Sequence, residues 1–383
     1  MRNNRLTKFM SLFLSALLCL TLAACGNSPV TDDAAPEPPD NAAAVIDTTA
    51  EQSGIVTDTD EVEADSVSSS ASDAVQTAGS VIERAALEHL TEDAAAPEVF
   101  FTSDISSAGL VKAYDALNWT PAGNVAVKLS TGEPPNSNYL RADLISDLVQ
   151  SVNGTIVECN TAYGGSRAST AMHKQVAEDH GFTAIANFDL MDEDGETEIP
   201  VAGGVRLDRA IVGSHIDNYD GVLVLSHFKG HAMAGFGGAI KNVAIGMSSA
   251  SGKVLVHTAG TSTTGSIFYS DQDAWLEALP EMVTAVRDYV GAENIVYVSV
   301  MNRLSVDCDC DGNPAEPDMH DIGILASHDP VALDQACVDL VYAAPDGASL
   351  QARMERQHGI HALEHGAEIG LGSRSYKLVN LDG

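Results

Sequence analysis

Gly221-Val222-Leu223-Val224-Leu225-Ser226-His227-Phe228-Lys229-Gly230-His231 decides how this chain is read. An unbroken apolar run that closes on histidine and lysine reads as a buried strand whose polar side chains emerge at its carboxyl end. Open α/β sheets hold their chemistry at that edge. The stretch continues Ala232-Met233-Ala234-Gly235-Phe236-Gly237-Gly238-Ala239-Ile240-Lys241-Asn242, so two histidines, two lysines and four glycines fall between His227 and Lys241. Glycine at this density lets backbone come close to a bound group.

Outward from that strand, Val99-Phe100-Phe101, Val125–Leu129, Gly154–Cys159, Asn294–Val300 and Ile322–Ser327 read as further strands. Tyr139–Val152, Thr170–His180, Asp273–Tyr289 and the segment from Pro330 to Tyr342 read as helices. The alternation predicts an α/β fold over residues 96–383, with mostly parallel sheets and flanking helices. Two lobes, 96–260 and 261–383, with a site between them are compatible with this order. Lys253-Val254-Leu255-Val256-His257 reads as one more short strand, ending in a histidine.

At the other end of the chain, Arg2, Arg5 and Lys8 precede the apolar run Phe9–Leu22 and then Leu22-Ala23-Ala24-Cys25. This pattern predicts a bacterial lipoprotein signal peptide over 1–24, with Cys25 lipidated (palmitate included) and the protein anchored to the membrane outside the cytoplasm. Residues 25–95 are rich in Ala, Asp, Glu, Ser, Thr and Pro with Arg84 as their only basic residue, the composition of a disordered acidic tether. A net charge of −34, from 20 basic and 54 acidic residues, argues against nucleic acid as a partner and leaves small cations and small molecules as natural ligands. Of six cysteines, Cys19 and Cys25 belong to the signal region. Cys308 and Cys310 sit too close along an extended chain to bridge each other, so no disulfide framework is expected.

Three clusters carry chemistry. His227, Lys229, His231 and Lys241 converge with His257, combining imidazoles that titrate near neutrality or bind metals with lysines that desolvation can turn into nucleophiles. Asp307-Cys308-Asp309-Cys310-Asp311-Gly312 offers Asp307, Asp309 and Asp311 as oxygen ligands, and through Asp318 it follows calcium-loop spacing. Extended backbone would set these aspartates on one face and the thiols on the other. A non-catalytic, calcium-stabilised binding protein is therefore an alternative to an enzyme. Near the C-terminus, His361-Ala362-Leu363-Glu364-His365 has the spacing of an inverted zinc-peptidase motif. Arg167, in the glycine turn after Cys159, is a candidate anion ligand.

Leu225–His231, Gly235–Gly238, Lys241-Asn242, Asp307–Asp311, Gly323–Ser327 with Asp329–Ala332, and Gly370–Ser373 together resemble the domain of unknown function 362 family, whose members are often labelled iron–sulfur centre proteins. Many such proteins carry a cysteine-rich ferredoxin insert after the position of His257. Here that position reads Thr258–Gly265 without cysteine, which argues against an iron–sulfur cluster. His231, Lys241 and His257 are also similar in spacing to a set in nickel-pincer lactate racemases. That resemblance implies His231 as acid or base, Lys241 as catalytic and as the covalent anchor of a nickel-type cofactor, and His257 as the metal ligand. It further implies Gly235, Gly237 and Gly238 around the cofactor and Arg167 on a substrate carboxylate. That family's second catalytic histidine has no match here. Racemase- or oxidoreductase-like chemistry on a small carboxylate or hydroxy substrate is the expectation.

Overall fold

The computed structural model describes residues 73–268 and 271–383. The signal, Cys25 and most of the expected tether lie outside them. The tether's last part does not: a hairpin of β1 (Ala74–Gln76) and β2 (Val81–Glu83) packs into the core through Val75, Ile82 and Leu87. Three well-spaced apolar side chains are enough to seat this segment despite its acidic composition. Asp339 completes the attachment, accepting from the His89 amide and from the Tyr376 hydroxyl.

The chain then alternates through β3 (Glu98–Thr102), α1 (Ser107–Ala116), β4 (Val125–Lys128), α2 (Ala142–Ser151), β5 (Thr155–Glu158), α3 (Thr170–Asp179) and β6 (Phe188–Leu190). A hairpin of β7 (Glu196–Pro200) and β8 (Arg209–Gly213) leads to β9 (Gly221–His227), the strand of the opening stretch. A tight hairpin follows, β10 (Lys229–His231) and β11 (Gly235–Gly237), then α4 (Ala239–Gly246), α5 (Ala250–His257) and α6 (Gln272–Val290). β12 (Ile295–Met301), β13 (Gly323–Ser327), α7 (Pro330–Ala343), α8 (Ala348–Arg356), α9 (His361–Glu368) and β14 (Lys377–Asn380) complete the order.

Eight strands form one sheet, ordered β14-β3-β13-β12-β9-β4-β5-β6. Every neighbouring pair is parallel except those made by β13, which runs against β12 and β3. The expected α/β class, with a mostly parallel sheet and flanking helices, is what the chain adopts. Both faces are covered: Val222 and Val224 point into one core cluster and Leu223 and Leu225 into the other, which is why β9 is apolar at every position. A division into lobes near residue 260 is not present. The described residues, 73–268 and 271–383, fall within one compact unit, in which β3 from the early chain sits between β13 and β14 from the late chain.

Two adjacent features place the site. The chain moves from β4 to β5 and β6 in one direction across the sheet, then returns to lay β9 on the other side of β4. Such a reversal opens a crevice at the carboxyl ends of the strands. α5 lies beyond that edge and is a helix, not the strand expected over Lys253–His257. Ser249 caps it by accepting from the Gly252 amide, and Gly252 packs where a Cβ would lie 1.9 Å from the Ile211 carbonyl oxygen. A short helix buried on nearly every side shows the same apolar run as a buried strand.

Candidate active site at the carboxyl edge of the sheet

A cavity of about 410 Å³ opens at the carboxyl ends of β4, β5 and β9. Lys128 and Glu158, at the ends of β4 and β5, wall it on one side, with Arg167 from the turn after β5. Lys229 and His231 come from β10, Gly237 from the end of β11, Gly238 from the cap of α4, Lys241 from α4 itself, and Lys253 and His257 from α5. The loop 307–312 closes the opposite wall with Cys308, Asp309 and Cys310.

Five cationic side chains, Lys128, Arg167, Lys229, Lys241 and Lys253, line this cavity against the two carboxylates of Glu158 and Asp309. In a chain of net charge −34 that local excess is a built feature. Most of these cations are engaged. Lys128 Nζ donates to the Leu129 carbonyl at 2.5 Å and to Asn242 Oδ1 at 3.0 Å. Arg167 donates to Glu133 Oε2 at 3.1 Å and to the Tyr163 hydroxyl at 2.8 Å, and lies 3.5 Å from Glu158. Burial pushes the Glu158 carboxyl up, but Lys128, Arg167 and His173 outweigh it and hold the group down at about 2. Lys229 Nζ binds Asp309 Oδ1 and the Asn138 carbonyl, each at 2.6 Å, and Lys253 Nζ donates to the Ser248 carbonyl at 2.6 Å.

Lys241 has no hydrogen-bond or ion-pair partner among the described residues. Burial, then the charges of Arg167 and Lys128, lower its amine to about 8. A substantial fraction is therefore neutral and nucleophilic near physiological pH.

The two histidines beside it are held as opposite tautomers. His231 Nδ1 accepts from the Met233 and Ala234 amides at 3.1 and 2.9 Å, which puts the proton on Nε2. His257 Nδ1 donates to the Lys253 carbonyl at 2.7 Å, which leaves the lone pair on Nε2. Both rings are kept neutral, chiefly by burial, which lowers His231 well below its usual value and His257 to about 4. Trp275 of α6 backs them, stacking on His257 at 5.4 Å and meeting His231 at 6.5 Å. One imidazole is thus set to donate and the other to ligate or accept.

Several expected site residues have other duties. Gly237 and Gly238 line the cavity, but Gly235 does not: its φ of +79° turns the β10–β11 hairpin against Met354 and Gly359. Gly238 has no room for a side chain, since a Cβ would meet Asp334 Oδ1 at 2.3 Å. His227 is tied down, with Nε2 against the Asn302 carbonyl at 2.7 Å and Nδ1 against Asp309 Oδ2 at 3.2 Å. The aspartates of 307–311 do not converge on a calcium ion. Asp307 binds Arg353, Asp309 binds Lys229 and His227, and Asp311 accepts from the Asn313 amide. Their loop is a turn, not extended backbone, so Cys308 and Cys310 come to a Cα separation of 5.2 Å and form the disulfide that the spacing argued against. His361 and His365 are hydrogen-bonded to Glu277 and Glu281 of α6 respectively.

Among the described residues, His231, Cys308 and Cys310 bring potential ligand atoms within 4.8 Å of one another, as do Asp189, Glu193 and His215. The first group has its sulfurs joined and its Nδ1 occupied by backbone amides. In the second, His215 is already hydrogen-bonded to Asp189 at 2.8 Å and Asp194 at 3.0 Å.

The family model described as Domain of unknown function (DUF362) matches residues 125–339, from β4 to α7. The chain belongs to that family. The matched span carries every cavity residue named above. No curated protein matches the sequence. Among solved structures, the chain is similar to the lactate racemase apoprotein of Thermoanaerobacterium thermosaccharolyticum, at 16% identity and TM-score 0.32, over 53% of this chain and 50% of that one. It thus spans about half the length of that racemase. A crystal structure of a Thermotoga maritima protein overlaps at 10% identity and TM-score 0.36, over 68% of this chain and 58% of the other. Overlaps of this extent say nothing about activity.

Proposed function

We propose that this DUF362 protein is an extracytoplasmic lipoprotein, anchored through Cys25, whose cavity holds a metal or metallocofactor for proton or hydride movement on a small carboxylate or hydroxy substrate. The observation that carries this reading is the unpaired Lys241 amine, lowered to about 8 and set between two neutral histidines in a cationic cavity. A lysine held only for structure would have an acceptor.

The residues present fit a covalently attached nickel-type cofactor. Lys241 would hold it, and the free lone pair at His257 Nε2 would take its metal. When bound, such a group supplies an electron-accepting centre next to the substrate. The chain's own groups do the remaining work. His231 Nε2–H donates to a substrate oxygen and can give or take the proton there. The cationic wall orients a carboxylate, and the Trp275 side excludes water from the histidines.

Intact-mass and metal analysis of purified full-length protein tests this, with wild type compared to Lys241→Ala and His257→Ala. The expected result is a mass adduct on wild type that Lys241→Ala lacks, and bound metal reduced in His257→Ala. A wild-type protein with neither adduct nor metal, which also takes up none from added nickel, zinc or iron, overturns the reading.

A further inference from the structure

The four cysteines of the described residues fall into two kinds. Cys159 and Cys337 are fully buried, and burial pushes their thiols up, to about 12 for Cys159 and well above the usual value for Cys337. Such thiols are inert. Cys308 and Cys310 are joined, half-buried and part of the cavity wall. Nothing in the proposed cofactor chemistry uses them.

Their loop is built to keep the two sulfurs in place. Asp309 between them turns its side chain inward to Lys229 and His227. Its carbonyl accepts from the Glu133 amide at 2.7 Å and from Asn136 Nδ2 at 3.3 Å. On the near side Arg353 clasps Asp307 Oδ1 at 2.9 Å and the Val306 carbonyl at 2.7 Å. With the residue between the cysteines pinned, opening the S–S bond leaves both thiols facing the cavity within reach of each other. The two sulfurs are not equivalent. The Cys310 amide donates to Cys308 Sγ at 3.2 Å, a contact that stabilises negative charge on Cys308.

We propose that Cys308–Cys310 is a working dithiol–disulfide couple that exchanges with a small anionic thiol admitted through the cavity. A thiolate RS⁻ attacks Cys310 Sγ, the Cys308–Cys310 bond breaks, and the electron pair leaves on Cys308, which takes up the proton the incoming thiol gave up. A second RSH then attacks the mixed disulfide at the sulfur of R. The products are RSSR, the oxidised partner, and the reduced pair Cys308–SH and Cys310–SH. The reverse sequence, with RSSR as oxidant, recloses the bond. The preference for an anion follows from the five cations and two carboxylates of the wall. This inference rests on the loop and the wall charge, not on a cofactor at Lys241.

The test uses full-length oxidised protein under native conditions at about 0.15 M salt, where distant surface charge is screened within about 8 Å. Mercaptoethanesulfonate, mercaptoethanol and cysteamine serve as anionic, neutral and cationic thiols. N-ethylmaleimide quenches the reaction, and mass spectrometry reads the peptide that holds both cysteines. The expected result is opening without denaturant, about tenfold faster per thiolate for the sulfonate than for cysteamine, with reclosure on adding the symmetrical disulfide of the sulfonate. Cys308 in Cys310→Ser should also alkylate faster near neutral pH than Cys310 in Cys308→Ser. Opening that requires denaturant, or a rate order that favours the cationic thiol, overturns the proposal. So does faster alkylation of Cys310, while the wild-type experiment stands by itself if either variant misfolds.

Discussion

Lys241 and its two histidines divide the work at the scale of single atoms. A half-buried amine among other cations, with no acceptor among the described residues, holds its charge at a cost, so it sheds its proton early, and its value of about 8 follows from desolvation first and from Arg167 and Lys128 second. Acylation of adduct-free protein with a water-soluble reagent should therefore label Lys241 with a half-maximum near pH 8. A lysine-containing reference peptide added to the same reaction should follow the usual lysine value of ~10.4. Peptide mapping across pH 6 to about 11 reads both at once, and a Lys241 that titrates with the reference peptide would show that solvent reaches it freely. His231, Lys241 and His257 were legible in the sequence because they lie in one continuous stretch with recognisable spacing. Lys128 and Trp275 were not, since each arrives from an element outside that stretch, and Lys253, on α5 with His257, was read only as the start of a strand. One signal was available: Lys128 interrupts Val125–Leu129, and a lysine inside a strand covered on both faces must find an internal partner.

At the scale of elements, α4 is held in place from outside itself. Asp334 of α7 accepts from the Ala239 and Ile240 amides at 2.8 and 3.0 Å, capping the helix that carries Lys241 with a carboxylate nearly a hundred residues away in sequence. Burial raises this carboxyl to about 7. A raised folded value means that the folded state favours the protonated form. Its contribution to stability is therefore complete below the unfolded value of ~3.9 and is lost as pH climbs through about 7. Asparagine at this position does not titrate, so wild type should lose stability relative to Asp334→Asn by on the order of a few kcal/mol between pH 4 and 7, measured by chemical denaturation at each pH. A difference that stays flat would mean that the two amide bonds keep the carboxylate ionised throughout. No periodicity in the sequence pairs Asp334 with Gly238 and Ala239. The same limit explains α5: its three central apolar residues fit either secondary structure, and only the Ser249 cap and the packing of Gly252 decide for helix.

Across the whole molecule the sheet was readable from its apolar runs, while its strand order was not. β13 reverses direction against its sequence neighbour β12, and β3 inserts between two late strands through pairings with segments more than two hundred residues away. The charge pattern has a similar division of scale. A chain of −34 repels anions from a distance, whereas its cavity, with five cations against two carboxylates, attracts them at short range. Salt screens the first effect far more than the second, because the Debye length contracts from about 30 Å at 0.01 M to about 8 Å at 0.15 M and the cavity groups are closer to the ligand than that. Association of a small dianion such as oxalate should consequently speed up several-fold over this range, with its dissociation little changed. Trp275, stacked on His257 at the back of the site, provides the fluorescence signal once the only other tryptophan is removed as Trp119→Phe. An association rate that falls with salt would mean that the cavity's own field reaches beyond the surface and dominates the approach of its ligand.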